Sequence, residues 1–316
     1  MKKISKKKNS AKKNLALFFN LSFAITSCAF CDIDPDDIGA KHEDKADERG
    51  PFHVEMHADY VSKAKVKDSE KFHKLTFGSA QIEAGAIYYY DPCYEEGANV
   101  TVFYENTLLD WDSNPNFKQE DYSAAGFTLG GFSKRLPDWT WKGQLVVNFD
   151  NLKHWTFSDY MYYNMLLWGR YEVCDNVGLH IGFLGETGMK IDRVYPVIGF
   201  DWTYNCHWKI NAIFPVNMSV VYTLNPTWSF ALAGRVFDER SRVGKHEHLS
   251  EGLWHYQQSG AELAVFFTPT KKISANLHVG TTFAGHLKIA DKHYHHGSRV
   301  HLEGSPYAGG ELDIKF

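Results

Sequence analysis

In this 316-residue chain the groups able to bind a metal or act on a substrate are the histidines, a few hydroxyls and the charged residues. Nine of the sixteen histidines follow residue 245, ending in His286, His293, His295, His296 and His301. Imidazole suits Zn²⁺, Cu²⁺ and Ni²⁺, and His293, His295, His296 and His301 are the residues such a site would draw on. They lack the fixed spacing of a tetrahedral set, and a polar loop with exposed histidines needs no metal, so no metal or other cofactor is assigned. Hydrolytic chemistry has less to build on. There is no Gly-x-Ser-x-Gly and no His-Glu-x-x-His, and Ser250, near His248 and His255, is the nearest approach to a nucleophile and base. No catalytic residue is assigned, and the chain is not expected to be an enzyme.

The charges are organised differently, because they recur at every second position. In Phe52 to Tyr60, polar His53, Glu55, His57 and Asp59 alternate with apolar neighbours. Trp139 to Asp150 does the same with Val146 as the one exception, and Ile273 to Phe283 repeats the pattern. An alternating strand has two chemically different faces. Carried along the chain, the polar face collects ten acids: Glu55, Asp59, Glu83, Glu105, Asp150, Glu172, Asp201, Glu262, Glu311 and Asp313. Against them stand five bases, Lys142, Arg170, Lys209, Arg235 and Lys315. Facing water inside a closed wall, this set would favour cations over anions. Paired with one another, the same residues would fill a narrow lumen and leave no pore. Both readings stay open at this point.

Stepping from these residues to the elements that hold them, no helical periodicity of useful length occurs, and alternating segments follow one another between turn residues. Strands are expected at 52–61, 78–90, 98–109, 122–133, 138–150, 159–173, 177–186, 194–204, 207–214, 217–224, 228–237, 255–267, 272–285 and 305–316. That gives an all-β, transmembrane antiparallel barrel of about fourteen strands. Twelve is the alternative, because the hairpin on either side of Pro215 has strands shorter than the ~9–11 residues that spanning requires. The connections alternate between short and long, as expected for short periplasmic turns and longer outside loops. Tyr90, Trp139, Tyr171, Trp202, Tyr204, Trp208, Trp228 and Phe316 lie beside the short connections. Trp111, Trp155, Tyr195, Trp254 and Tyr307 gather near the opposite rim, and Trp and Tyr prefer both membrane interfaces.

Three of the five cysteines, Cys93, Cys174 and Cys206, fall in three of the short connections. In an oxidising compartment disulfides are possible. Cys174 and Cys206 are the expected pair, with Cys93 left to link another envelope protein; unbonded turn residues are the alternative. The pairing is geometrically demanding, since Cα atoms must approach within about 7 Å and adjacent strands already lie ~4.8 Å apart.

The ends of the chain bear on location. Seven lysines and no acid occupy the first thirteen residues, followed by the apolar stretch Leu15 to Ile25. This reads as an export signal over residues 1–31, cut either by ordinary signal peptidase or at the lipobox-like Ile25-Thr26-Ser27-Cys28. The stretch is shorter than the ~20 residues of a spanning helix. Residues 32–50 read as a disordered acidic periplasmic leader, and 51–316 as the barrel. Aromatic residues make up 15% of the chain and the net charge is −4, while the mean hydropathy is negative. Such a composition suits a wall that is apolar on one face only. Removing the lysine-rich signal makes the remainder more acidic, which argues against nucleic acid as a partner.

The tail Glu311-Leu312-Asp313-Ile314-Lys315-Phe316 resembles the closing strand of bacterial outer-membrane barrels, with Phe316 as the terminal aromatic read by the barrel-assembly machinery. Lys209 to Pro215 and Val220 to Phe230 resemble a stretch, spanning about 194–237, found in an uncharacterised family of outer-membrane barrels. That resemblance implies fold and location, with no catalytic residue. Outer-membrane lipid and small solutes are then the expected partners. The expected function is passive, porin-like diffusion with a mild cation preference; a surface-exposed barrel with a blocked lumen that contacts host or neighbouring proteins is the alternative.

Overall fold

A computed structural model describes residues 52–67, 73–91, 93–150, 159–295 and 297–316. The export signal, the leader, Cys28, Cys31, Trp155 and His296 lie outside the described residues. The first strands are β1 (Phe52–Ala64), β2 (Val66–Lys67), β3 (Leu75–Asp91), β4 (Glu96–Trp111), β5 (Asp121–Ser133) and β6 (Trp139–Asp150). They are followed by β7 (Met161–Cys174), β8 (Val177–Gly188), β9 (Arg193–Thr203), β10 (Trp208–Phe214), β11 (Asn217–Asn225) and β12 (Trp228–Arg242). The chain finishes with β13 (Leu253–Thr270), β14 (Ile273–Thr282), β15 (Gly285–Ala290), β16 (Ser298–Leu302) and β17 (Pro306–Lys315).

Every pairing is antiparallel, and β1 pairs with both β3 and β17, so the sheet closes on itself. β14 and β15 pair with successive stretches of β13, while β16 bonds β15 and the two-residue β2. The wall is therefore a closed ring of fourteen: β1, β3 to β14, and β17. Closure gives each of the fourteen strands a neighbour on both sides over at least part of its length, the condition for strands in hydrocarbon.

Local sequence explains the turns. The Asn205 side chain accepts from the backbone N–H of His207 and Trp208, and Asn225 accepts from Thr227 and Trp228. Asn side chains that imitate a backbone turn in this way suit tight hairpins. The outer face carries Ile82, Val102, Leu129, Ile181, Ile198, Leu232, Leu263 and Leu277, all exposed. In water such a belt would be unfavourable; against lipid tails it is the stable surface. Beside the short turns sit outward aromatic pairs, Trp139 with Tyr171 at 5.2 Å, Trp208 with Tyr222 at 4.8 Å and Trp228 with Phe267 at 4.6 Å between ring centroids.

The short hairpin is real, with seven residues in β10 and nine in β11, so fourteen strands replaces the twelve-strand alternative. It turns at Pro215, which has no N–H to continue a ladder. Its shortness has a consequence for its neighbours. β10 pairs with β9 only at Ile198 to Thr203, and the partner of β12 on that side ends at Ala233. Beyond Ala233, β12 is held by β13 alone.

Two segments read as loops, 238–254 and 286–304, are partly strand. β12 and β13 continue together up to Arg242 and Leu253, and β15 and β16 extend the same sheet.

Candidate functional site

The upper halves of β12 and β13 leave the wall. Phe237, Asp238, Arg240, Ser241 and Arg242, and Leu253 to Tyr256, are buried whichever way their side chains point. A wall strand keeps one face on lipid, so burial of both faces means that the hairpin lies inside the barrel. Its contacts agree. Asp150, on the inner face of β6 half-way round the ring, accepts from Ser241 Oγ at 2.5 Å and from the Arg242 backbone N–H at 2.6 Å. The hairpin loop is tied to the β4–β5 loop, with the Gly244 N–H donating to Gln119 at 2.8 Å and the Leu249 N–H to the Asn116 carbonyl at 3.0 Å.

The folded-in sheet is amphipathic. One face presents Phe237, Trp254, Tyr256, Leu287, Ile289, Val300 and Leu302, which pack on Val61, Leu75, Phe77, Leu109, Trp111 and Tyr122 from the inner wall. Tyr256 stacks on Phe77 at 4.3 Å and Trp254 meets Tyr122 edge-on at 5.0 Å. The expected second aromatic girdle is corrected by this arrangement: Trp111, Trp254 and Tyr307 are buried inside the mouth. Tyr195 also points inward, within reach of Arg193.

The opposite face carries Asp238, Arg240, Arg242, His255 and Gln257, aimed at β6 to β9. Arg193 of β9 meets Asp238 at 3.4 Å and His255 at 3.2 Å, and Arg240 lies 3.6 Å from Glu186. These ties cross the gap above the short β10–β11 hairpin. The sequence contained the signal for this face. Trp228, Phe230 and Leu232 fix the outward parity of β12, and Asp238, Arg240 and Arg242 continue that parity with charges that cannot face lipid.

Of the charges expected on the inner face, most of the deeply buried ones are locked to partners. Arg235 reaches Glu262 at 2.7 Å, Asp59 at 3.1 Å and Glu311 at 3.3 Å. His278 binds the other oxygen of Asp59 at 2.6 Å, and the Tyr307 hydroxyl donates to Glu262 at 2.9 Å. Across the barrel, Arg170 forms a two-pronged pair with Asp201 at 2.8 and 3.0 Å and reaches Glu172 at 3.0 Å. Trp168 donates to His180 Nδ1 at 2.8 Å, which leaves the Nε2 proton for Asp201 at 2.7 Å. Glu105 is buried beside Thr107 and Glu239, and Glu83 lies 3.4 Å from His53. Glu55, Lys142, Lys209, Asp313 and Lys315 are half-buried toward the short-turn end, where Lys315 meets Asp313 at 3.1 Å. At mid-height Phe103, Val146, Leu166, Trp168, Leu184, Val197 and Ile213 close a second apolar cluster.

On the inner wall, around Val146 and Leu166 of the second apolar cluster, three amide side chains have polar atoms without partners. Asn148 and Asn164 are fully buried, and among the described residues none of their four amide atoms has a hydrogen-bond partner; Gln144 Oε1 on the same face of β6 has none there either. Asn148 is two residues from Asp150, and Asn164 pairs across the ladder with Glu186. The three amides therefore lie directly under the polar contacts of the folded-in hairpin.

The remaining candidates do not converge. Among the described residues Cys93, Cys174 and Cys206 are exposed and unbonded, and β8 and β9 separate the turns of the expected Cys174–Cys206 pair. Among the described residues no group of three His, Cys, Asp or Glu is placed to hold a metal. His301 sits opposite His286 in the β15–β16 ladder, and the backbone N–H groups of His293 and His295 donate to Asp291. The Ser250 hydroxyl donates to the Lys245 carbonyl at 2.9 Å, while His255 is buried against Asp238 at 2.5 Å.

A closed antiparallel ring with an apolar outside and a filled, polar-walled inside defines a transmembrane β-barrel. The chain belongs to the family described as Domain of unknown function (DUF6268), whose model matches residues 147–315. It is similar to an uncharacterised protein of Chlamydia pneumoniae, 24% identical over 276 residues, covering 81% of this chain and 86% of the relative. A second relative, from Chlamydia trachomatis serovar D, is 21% identical over 234 residues, covering 67% and 72%. Among solved structures, an outer membrane channel from Pseudomonas putida F1 covers 90% of this chain and 100% of its own, at TM-score 0.48 and 10% identity. The toluene transporter TbuX of Ralstonia pickettii covers 84% and 90%, at TM-score 0.39 and 9% identity. With TM-scores below 0.5, neither likeness bears on function.

Proposed function

We propose that this protein is an outer-membrane barrel that passes small polar solutes past the Gln144, Asn148 and Asn164 amides when its own β12–β13 hairpin shifts. The hairpin holds the path closed at rest. The observation that carries this reading is the pair of fully buried amides on the inner wall, unpartnered among the described residues. Leaving a buried donor or acceptor unpaired costs about 1–3 kcal/mol. Water or a polar solute passing along this part of the wall would supply the missing partners.

Selectivity is expected to be slight. The inner acids that are not buried are Glu55, Glu172, Glu311 and Asp313, and the lysines Lys142, Lys209 and Lys315 stand among them. Arg235, also half-buried, is engaged by Glu262, Asp59 and Glu311, so four acids meet four bases there, and the mild cation preference rests on the full inner set of ten acids and five bases. Phe316, exposed at the end of β17, supports handling by the assembly machinery, and the short-turn rim is assigned to the periplasm.

Planar-bilayer recording tests the reading. The wild-type barrel should show small, intermittent currents with a reversal potential slightly favouring cations. Asn148→Leu with Asn164→Leu should suppress them while heat-modifiable gel migration stays normal. Unchanged currents in that variant would remove the amides from the path, and silence of the wild type would favour the sealed barrel.

A further inference from the structure

The polar face of the folded-in sheet ends in a cluster of bases that the channel reading does not use. Lys288 of β15 stands directly opposite Arg299 of β16 in the ladder. Like charges placed opposite one another destabilise a strand pair, so this pairing opposes the fold unless something offsets it. No carboxylate does: among the described residues neither Lys288 nor Arg299 forms an ion pair with an acid. Arg299 instead donates to His286 Nε2 at 2.8 Å, a neutral acceptor, and the Lys288 ammonium lies over the Tyr294 ring at 3.2 Å. Arg193 adds a third positive charge close enough to bear on Lys288. Asp238, on the same face of the sheet, is already engaged by Arg193, by His255 at 2.5 Å and by Gln257 at 2.5 Å. Arg299 is exposed, and Lys288, His286 and Tyr294 are half-buried, so the cluster is open to a ligand.

We infer that Arg193, Lys288 and Arg299, with Tyr294 as a floor, form an anion-binding site at the long-loop mouth of the barrel, for a phosphate or carboxylate group. Guanidinium groups present paired N–H donors that match such oxygens, and an ammonium adds a point charge. The bound anion offsets the Lys288–Arg299 repulsion and bridges β9 to the folded-in sheet. The site stands apart from the channel reading, since binding is measured without current.

The test uses the full-length barrel in detergent, titrated calorimetrically with inorganic phosphate, and the same barrel in flotation assays with phosphatidylglycerol vesicles. Replacing Lys288→Gln and Arg299→Gln together should weaken binding by about tenfold or more, since charge-assisted hydrogen bonds are lost. Lys288→Arg, which keeps the charge, should retain it, and normal heat-modifiable migration controls for folding. Variant-sensitive binding of free phosphate supports the site with a soluble ligand. Variant-sensitive binding to the vesicles alone supports it with a lipid headgroup as the source. Equal behaviour of wild type and the double glutamine variant in both arms overturns it.

Discussion

The two rims of the barrel hold the same residue types and send them to opposite destinations. At the short-turn rim, Trp139, Trp208 and Trp228 point outward and pair with neighbouring rings at the lipid boundary. At the long-loop rim, Trp111, Trp254 and Tyr307 point inward and form the core of the closed mouth. The difference teaches that parity assigns a face only while a strand stays in the wall. β12 loses its β11 partner after Ala233, bends inward, and turns both of its faces into interior surface.

That contrast can be broken by substitution. Trp254→Ala removes a fully buried ring from the mouth core and should destabilise the barrel by about 3–5 kcal/mol, read as a lower urea midpoint in lipid. Trp228→Ala, at an exposed position stacked only on Phe267, should cost about 1 kcal/mol, the scale of an aromatic pair. Equal losses at the two rims would contradict the difference in burial. Asp150→Ala should fall between them, near 1–3 kcal/mol, because the Arg242 N–H is left buried without its acceptor. It should also lengthen channel openings, since Asp150 holds the hairpin shut.

The strands were legible because alternation is a local property with a period of two, and the segments holding Glu262 and Asp59 obey it without reference to anything distant. The β10–β11 hairpin was legible for the same reason, although its length looked deficient. The folded-in hairpin was not. It depends on β11 ending early, a fact about a neighbouring strand, and on contacts with β5 and β6 on the far side of the ring. The charged parity of Asp238, Arg240 and Arg242 was the local sign, and loop-like polarity masked it. The buried asparagines were hidden too, because an inward Asn reads as an ordinary lumen residue until its surroundings are known.

The smallest expected effect sharpens the comparison by pH. In the long loops, the Tyr160 hydroxyl donates to Glu251 at 3.0 Å and Lys245 stands 3.5 Å away. The hydrogen bond from Tyr160, then Lys245, holds the Glu251 carboxyl below its ordinary value. Burial, and then the bond to Glu251, pushes the Tyr160 phenol up to about 12. A depressed carboxylate contributes stability above its unfolded pKa of ~4.3 and loses it as pH falls through the folded value. A raised phenol contributes below its unfolded pKa of ~10 and loses that as pH climbs toward the folded value. Opening frequency should therefore be flat from about pH 5 to 9 and rise at both extremes, and Tyr160→Phe should flatten the alkaline limb. A Tyr160→Phe profile identical to wild type would remove this tether.

If the β12–β13 hairpin closes the barrel, shortening it should leave a permanently open pore. Asp238 and Gln257 are ladder partners, so residues 239–256 can be replaced by Asn-Gly, a two-residue turn suited to antiparallel strands. Single-channel conductance of this variant, confirmed as a folded barrel by heat-modifiable migration, should be large and steady where the wild type is small and intermittent. A folded variant with wild-type conductance would contradict the account.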